Sequence, residues 1–293
     1  MKRGKDLITV KRTTYGFIGC GIMGGAIAET VITAMDSTDE ALLSNRTKEK
    51  TEMEVEFITD MMDEQGLKRP RIRVSTNEEI ATKADYIFLG VKPHQMEGVL
   101  TEIRDILKNR QNGFVLVSMA AGISVEKIQS MAGGDYPTIR IMPNMAVLVG
   151  TGVLLYCYSE NVGEETIERF RELIGTAGFL NEIEENLMDV ASAITGCGPA
   201  YMCMFIEAIK DGAVACGLPA ERALPMAAMT MAGVASMLMV GGDVGHPAII
   251  KEKICSPGGS TIEGVYSLEE HGFRGAVMDA IISAYEKTKE LGS

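Results

Sequence analysis

At 293 residues, with 46% apolar and 23% charged side chains, the chain exceeds one ordinary core and has the composition of a two-domain globular protein, not a disordered one. A formal charge of −12 argues against binding to nucleic-acid backbones or to anionic membranes, because counterion release needs clustered Lys and Arg. Six cysteines without a C-x-x-C pair and only three histidines offer neither zinc spacing nor a disulfide framework, so no metal is expected and the thiols read as small buried hydrophobes in a reducing cytoplasm.

The opening MKRGKDLITVKRTT is basic but has no apolar stretch or small-residue cleavage site, and reads as a flexible extension over residues 1–14 and not as a secretory signal. Residues 15–35, YGFIGCGIMGGAIAETVITAM, then give a short apolar strand, the turn Gly19-x-Gly21-x-x-Gly24 and a helix. Gly19 suits a tight turn, Gly21 a close approach to a pyrophosphate, and Gly24 close packing of helix on strand, with phosphate at the helix N-terminus. Alone the motif is weak, and its context strengthens it. The patterning predicts a strand near 41–44, a helix over 47–65, strands at 71–74 and 85–91, a helix over 94–108, and strands at 113–118 and 138–142. That alternation implies a doubly wound, mostly parallel sheet of the Rossmann kind.

The end of the second strand bears on the cofactor. Where an NAD enzyme places Asp or Glu, this chain has Ser44-Asn45-Arg46-Thr47, with Lys50 a turn later. Arg46 can fork onto a 2′-phosphate with Asn45 and Thr47 as neutral donors, which favours NADPH and makes NADH the weaker cofactor; the plain alternative is an arginine on a solvated surface. Val91-Lys92-Pro93-His94 closes another strand and Ser118-Met119-Ala120-Ala121-Gly122 the next, the latter small enough to admit a nicotinamide ring. Lys92 could meet phosphate or ribose, or only water, and His94 beside a proline is assigned a satisfied structural role.

Beyond residue 183 helices dominate, at 186–194, 199–217, 220–241, 247–254, 261–271 and 273–290. The run Ala223 to Gly242 holds twenty consecutive uncharged residues, long enough to span a membrane, but it is built of Ala, Gly, Met, Ser and Thr and lacks an aromatic belt. A helix apolar on every side still needs a cover, and a second copy of the same helix suits small residues and five Met, so an obligate dimer is expected. Cys197, in the TGCGPAY turn that opens a long helix, could be an activated nucleophile; with no base near it in sequence, packing between glycines is the preferred reading. Further on, SPGGST interrupts the helical pattern at 256–261. It can form an anion nest of backbone N–H groups and hydroxyls, or only a turn capped by Ser260 or Thr261, and the stretch alone does not choose.

Taken together, FIGCGIMG, GVKPH at 90–94, RIMPN at 140–144, GCGPAY, DGAVACGLP at 211–219 and above all CSPGGSTIEGV resemble pyrroline-5-carboxylate reductases, in order and spacing, over nearly the whole chain. The resemblance implies an NADPH-dependent oxidoreductase reducing a cyclic imine to proline in the cytoplasm, with a Rossmann-like domain over 1–182 and an all-helical dimerisation and substrate domain over 183–293. It implies further that Ile18, Gly19, Cys20, Gly21, Ile22, Met23 and Gly24 hold the pyrophosphate, and that Asn45, Arg46, Thr47 and Asn77 hold the 2′-phosphate end. Val91, Lys92, Pro93, Ala120 and Ala121 would line the nicotinamide side. Ser256, Gly259 and Ser260 would cradle the substrate carboxylate, and the Thr261 hydroxyl would meet the ring nitrogen as the catalytic contact. The assembly implied is a homodimer able to build larger oligomers. The chain departs from the family in having Cys197 where Ser is commoner and about fourteen extra leading residues. The competing readings are an NADP-dependent β-hydroxyacid dehydrogenase or related imine reductase, and a non-catalytic NADPH-sensing protein. The first needs a Lys and an Asn on the long central helix, where only Lys210 stands, far down; the second has no reason to keep SPGGST.

Overall fold

A computed structural model describes residues 12–240 and 246–292, so residues 1–11 of the expected extension, and Gly241 and Gly242 of the uncharged run, lie outside the described residues. The chain divides into two compact units, Met1–Gly196 with Tyr285–Ser293, and Cys197–Ala284.

The first unit is built on a sheet. Its elements are β1 (Thr14–Ile18), α1 (Ile22–Ala34), β2 (Glu40–Ser44), α2 (Lys48–Glu64), β3 (Arg71–Val74), α3 (Asn77–Lys83), β4 (Tyr86–Leu89), α4 (Pro93–Asn109), β5 (Val115–Ser118), α5 (Val125–Ala132), β6 (Thr138–Pro143), β7 (Gly152–Tyr158), α6 (Glu164–Ile174), β8 (Gly178–Glu182) and α7 (Met188–Thr195). The strand order is β3-β2-β1-β4-β5-β6-β7-β8, parallel throughout except where β6 and β7 run antiparallel. The order reverses between β1 and β4, and beyond the carboxyl ends of such strands an open sheet leaves a crevice.

Period-2 alternation explains the two layers. On β1 and β4, Tyr15, Phe17, Tyr86 and Phe88 enter one core with α1, α2 and α6, while Ile18, Ile87 and Leu89 enter another with α3, α4 and α5. Phe17 pairs in register with Phe88, their ring centroids 4.8 Å apart, and Tyr15 stacks on Tyr86 at 5.2 Å. Thr14 already belongs to β1, its N–H donating to Asp85 at 2.9 Å, and Arg12 pairs with Glu40 at 2.7 Å. Arg12 and Thr14, counted in the expected extension, are thus held to the sheet.

Residues 150–183, to which the sequence pattern assigns no element, hold β7, α6 and β8. β7 reverses direction because only eight residues join it to β6, too few for a crossover helix. Asn144 organises that reversal: its Oδ1 accepts from the N–H groups of Ala146 at 3.2 Å and Val153 at 3.1 Å, and its amide donates to the Thr195 carbonyl at 3.0 Å. Buried Arg140 on β6 adds ion pairs to Glu185 at 3.2 Å and Asp189 at 2.7 Å. These contacts put α7 with the sheet, so the compact division falls at Gly196, past the sequence-based boundary at 182.

The second unit holds α8 (Gly198–Ala215), α9 (Ala220–Met239), α10 (Pro247–Ile254), α11 (Ser260–Glu270) and α12 (Phe273–Gly292) as far as Ala284. α8 and α9 pack on each other through a short turn in which Gly217 takes φ +97. Among the described residues of this unit, Ala223, Ala227 and Ile250 are the only buried apolar side chains, whereas Met204 and Met229 stand 69% and 71% exposed.

Candidate functional site

The glycine turn follows β1 directly. Gly19 has φ +91, in the left-handed region that favours glycine, and its N–H bonds the Ser44 carbonyl at 2.8 Å, fixing the turn against the end of β2. A Cβ on Gly24 or on Gly90 would strike the Gly19 carbonyl oxygen, so the start of α1 and the end of β4 close on the turn only because both lack a side chain. A Cβ on Gly21, by contrast, would meet nothing within 4 Å. Gly21 is the N-cap of α1, its own N–H spent on the Gly19 carbonyl at 2.9 Å; no acidic residue occupies the first turn, and the first intrahelical bond reaches Gly25 N–H, which leaves the N–H groups of Ile22, Met23 and Gly24 without a helical partner. This cradle fits a pyrophosphate.

One cavity collects most of the predicted cofactor residues. Ile18, Gly19, Cys20, Gly21 and Ile22 line it, with Asn45, Arg46, Thr47, Asn77, Val91 and Lys92. Asn45 is held in place by its amide, which donates to the Cys20 carbonyl at 3.1 Å, and by its Oδ1, which accepts from Arg46 N–H at 3.0 Å. Thr47 is the N-cap of α2 with its side chain unspent on the helix, and Arg46 is exposed with no ion pair among the described residues. Asn77 starts α3; its Oδ1 accepts from Ser44 Oγ at 2.7 Å.

Five predicted residues do not line this cavity. Met23 packs partly against the core, Gly24 is used in the close approach just described, and Pro93 serves as the first residue of α4. Ala120 is buried among the residues under α4 and α5, and Ala121 packs beside Val125 and Met142 in a third cluster, because the chain turns inward after β5. His94 is exposed and makes no hydrogen bond among the described residues, so the satisfied structural role expected for it is not realised.

Residues not predicted as site members also line the cavity, among them Glu29, Lys50, Glu54, Gln95, Val99 and Glu102. The signal for the α4 members was their spacing: 95, 99 and 102 fall on one face, flanking the stripe of buried Met96, Leu100, Ile103 and Leu107. Burial raises the carboxyls of Glu29 and Glu54, the latter further through its neighbour Glu29. It also pushes the Cys20 thiol up to about 12, with Glu54 adding to the effect, so this thiol stays protonated and unreactive near neutrality.

In the second unit, α10 ends at Ile254 and α11 begins at Ser260. Between them Gly258 takes φ +68, and Gly259 N–H bonds the Ser256 carbonyl at 3.1 Å. Gly259 is the N-cap of α11 and no side chain caps it. Of the two alternatives left open, capping by Ser260 or Thr261 is absent, and the hydroxyls of Ser256, Ser260 and Thr261 are exposed with no bond among the described residues. Thr261 lines a small cavity with Val234, Leu238, Ile250, Lys251 and Cys255. Lys251 was not anticipated; it lines the same small cavity as Thr261. A helix N-terminus with a glycine cap and three hydroxyls free among the described residues can hold a small carboxylate.

Elsewhere, Cys197 is the N-cap of α8 with Tyr201 a turn away and no base beside it, which matches packing and not nucleophilic chemistry. Of the six cysteines, all free, only Cys20 and Cys157 are buried; Cys203 and Cys216 are exposed, against the expectation of buried thiols. Their helices carry apolar faces that this chain alone leaves uncovered. Lys210, far down α8, pairs with Asp211 at 3.0 Å.

Comparison with known proteins finds two family models on this chain. Residues 14–122 match the family model described as NADP oxidoreductase coenzyme F420-dependent, and residues 185–291 match pyrroline-5-carboxylate reductase dimerisation. The chain is 34% identical to a pyrroline-5-carboxylate reductase of Synechocystis over 94% of its own length and 98% of the relative's. It is likewise 34% identical to the Arabidopsis thaliana enzyme of that name, covering 94% of each. Among solved structures, Plasmodium falciparum pyrroline carboxylate reductase with NADP bound matches with a TM-score of 0.79 at 32% identity, covering 96% of this chain and 98% of that one.

Proposed function

The chain belongs to the pyrroline-5-carboxylate reductase family, and on that premise we propose how its own residues perform the NADPH-dependent reduction of pyrroline-5-carboxylate to L-proline. Bound NADPH supplies the hydride. The N–H groups at the start of α1, behind Gly19, Gly21 and Gly24, receive the pyrophosphate, Arg46 forks onto the 2′-phosphate with Asn45, Thr47 and Asn77 beside it, and Lys92 neutralises charge at the nicotinamide side. Ser256, Gly259 and Ser260 take the substrate carboxylate, with Lys251 as an added cation. The Thr261 hydroxyl holds the ring nitrogen, which carries its proton while the imine carbon accepts the hydride, leaving a secondary amine. A protonated cyclic imine is already electrophilic, so alignment supplies more of the rate than proton transfer does.

The observation that carries these assignments is the turn before α11, whose three hydroxyls are left free by a glycine N-cap. A merely structural connection would spend one of them on capping.

We assign residues 1–182 to the cofactor domain and 183–293 to the dimerisation and substrate domain. Glu185–Ala215 and Ala220–Met239 are long and apolar enough to cross a membrane by length and composition, but both lie largely within the stretch matched to dimerisation, and we assign their uncovered faces to a partner subunit in a homodimer. Association into larger oligomers and residence in the cytoplasm complete the proposal, the latter supported by six unpaired cysteines. The test is NADPH oxidation with pyrroline-5-carboxylate, against 2- and 3-hydroxy acids with NADP+ and against the six-membered cyclic imine. Turnover is expected with the five-membered imine. Turnover confined to the hydroxy acids would overturn the substrate assignment.

A further inference from the structure

The adenosine end of the cofactor cavity contains an acidic side chain that the proposed mechanism does not use. Glu102 lines the cavity from α4, on the same face as Gln95 and Val99, and no cation pairs with it among the described residues. It ends a hydrogen-bonded chain across three segments: Ser44 Oγ at the end of β2 donates to Asn77 Oδ1 at 2.7 Å, and Asn77 Nδ2 donates to Glu102 Oε2 at 3.1 Å and Oε1 at 3.2 Å. Asn77 therefore commits one N–H, shared between the two carboxylate oxygens, to Glu102 and keeps the other for the cavity it also lines. The carboxylate accepts at about four lone-pair sites in all, so Asn77 leaves acceptor capacity free beside the space it lines.

A carboxylate facing a site for a polyanion is unfavourable unless the ligand presents a donor there. The adenosine half of the cofactor has two, the ribose 3′-hydroxyl and the 6-amino group of adenine. The 3′-carbon adjoins the one bearing the 2′-phosphate, so a carboxylate on that hydroxyl would sit against a like charge. The amino group lies at the opposite edge of the nucleoside, and Val99, one turn before Glu102, gives the flat base an apolar surface. We propose that Glu102, oriented by Asn77, accepts a hydrogen bond from the adenine 6-amino group and so selects the base of the cofactor. The inference rests on the reading that the turn Asn45–Thr47 holds the 2′-phosphate.

The test measures, on the full-length protein, dissociation constants for NADPH and for its hypoxanthine analogue, which carries a carbonyl oxygen where adenine has the amino group. The wild type is expected to bind the analogue about tenfold more weakly or worse, the range of a hydrogen bond to a charged group. Glu102→Gln, whose amide can both accept and donate, should bring the ratio of the two constants towards one, and Glu102→Ala should weaken NADPH and abolish the discrimination. A wild type that binds both alike, or a Gln variant that keeps the wild-type ratio, overturns the proposal. So does a Glu102→Ala variant that weakens both equally, since a merely structural role would leave the ratio unmoved. Arg46→Ala, measured alongside, should erode the preference for NADPH over NADH and leave the hypoxanthine ratio as it is. Loss of the first effect with the second intact indicts the 2′-phosphate reading, and the reverse indicts Glu102.

Discussion

Arg46 and Thr261 carry the two most discriminating assignments, and each predicts a different kinetic change. Arg46 is exposed, without an ion pair among the described residues and just before α2, where its guanidinium can meet a phosphate that NADH lacks. Arg46→Ala should weaken NADPH by roughly 10- to 100-fold, the range of a charge-assisted hydrogen bond, with NADH affinity unchanged, as measured by cofactor fluorescence titration. Thr261→Ala removes a hydroxyl that neither caps α11 nor bonds elsewhere among the described residues. It should lower kcat by about tenfold or more, on the order of 1.4 kcal/mol, while the NADPH dissociation constant stays put. An unaltered kcat would remove Thr261 from the reaction. At the same scale, the high thiol value of Cys20 explains how a cysteine can sit in the phosphate turn without chemistry of its own.

Among the elements, α3 shows how a seven-residue helix is held where the cofactor residues need it. Thr76 caps it by accepting from Glu79 N–H at 3.2 Å, and Glu79 is gripped by Arg73 from β3 at 2.7 Å, by Lys83 at 2.8 Å and by Ser75 Oγ at 2.8 Å. Arg73 first, then Lys83 and Ser75, hold the Glu79 carboxyl far below the usual carboxylate range. A depressed value means that the folded state binds its proton later than the unfolded chain does, so this stabilisation is complete above the ordinary glutamate value of about 4.3 and fades as pH falls through the depressed one. Glu79→Gln should lower the melting temperature at pH 7 and flatten its dependence on pH below 5, and a variant as acid-sensitive as the wild type would contradict the assignment. Because Asn77 opens this helix, the cavity should register the same change as weaker NADPH binding.

For the whole molecule, the helical unit leaves most of its apolar side chains to be covered by a second copy. A unit with three buried apolar side chains among its described residues leaves little core within one copy, which fits its match to a dimerisation family. Met229, 71% exposed at the middle of α9, is a direct probe. Met229→Asp should place an uncompensated charge in the covered face, shift dissociation by roughly 3 kcal/mol or more, and give monomers in light scattering at concentrations where the wild type is dimeric, with activity lost in parallel. A fully active dimeric variant would move the interface elsewhere. The overall charge of −12 repels an anionic cofactor, so binding depends on the local donors at α1, Arg46, Lys50 and Lys92 and not on the field of the whole protein.

The amino-acid sequence by itself determined the strand–turn–helix at the start, the alternation that makes a parallel sheet, the absence of an acid after β2 and the break before α11. These are local signals, written in the spacing of glycines and the period of apolar residues. It also held a signal that went unread: Ile167, Phe170, Leu173 and Ile174 form the buried stripe of α6, and β7 is a run of apolar residues, but a strand that turns antiparallel after six parallel ones violates the pattern that made the rest legible. Only the tertiary structure decided that Ala120 and Ala121 pack into hydrophobic clusters, that Lys251 and Thr261 line one small cavity, and that Asn77 answers to Glu102. Each depends on which residues distant in sequence meet once sheets and helices have packed, and no local spacing encodes that meeting.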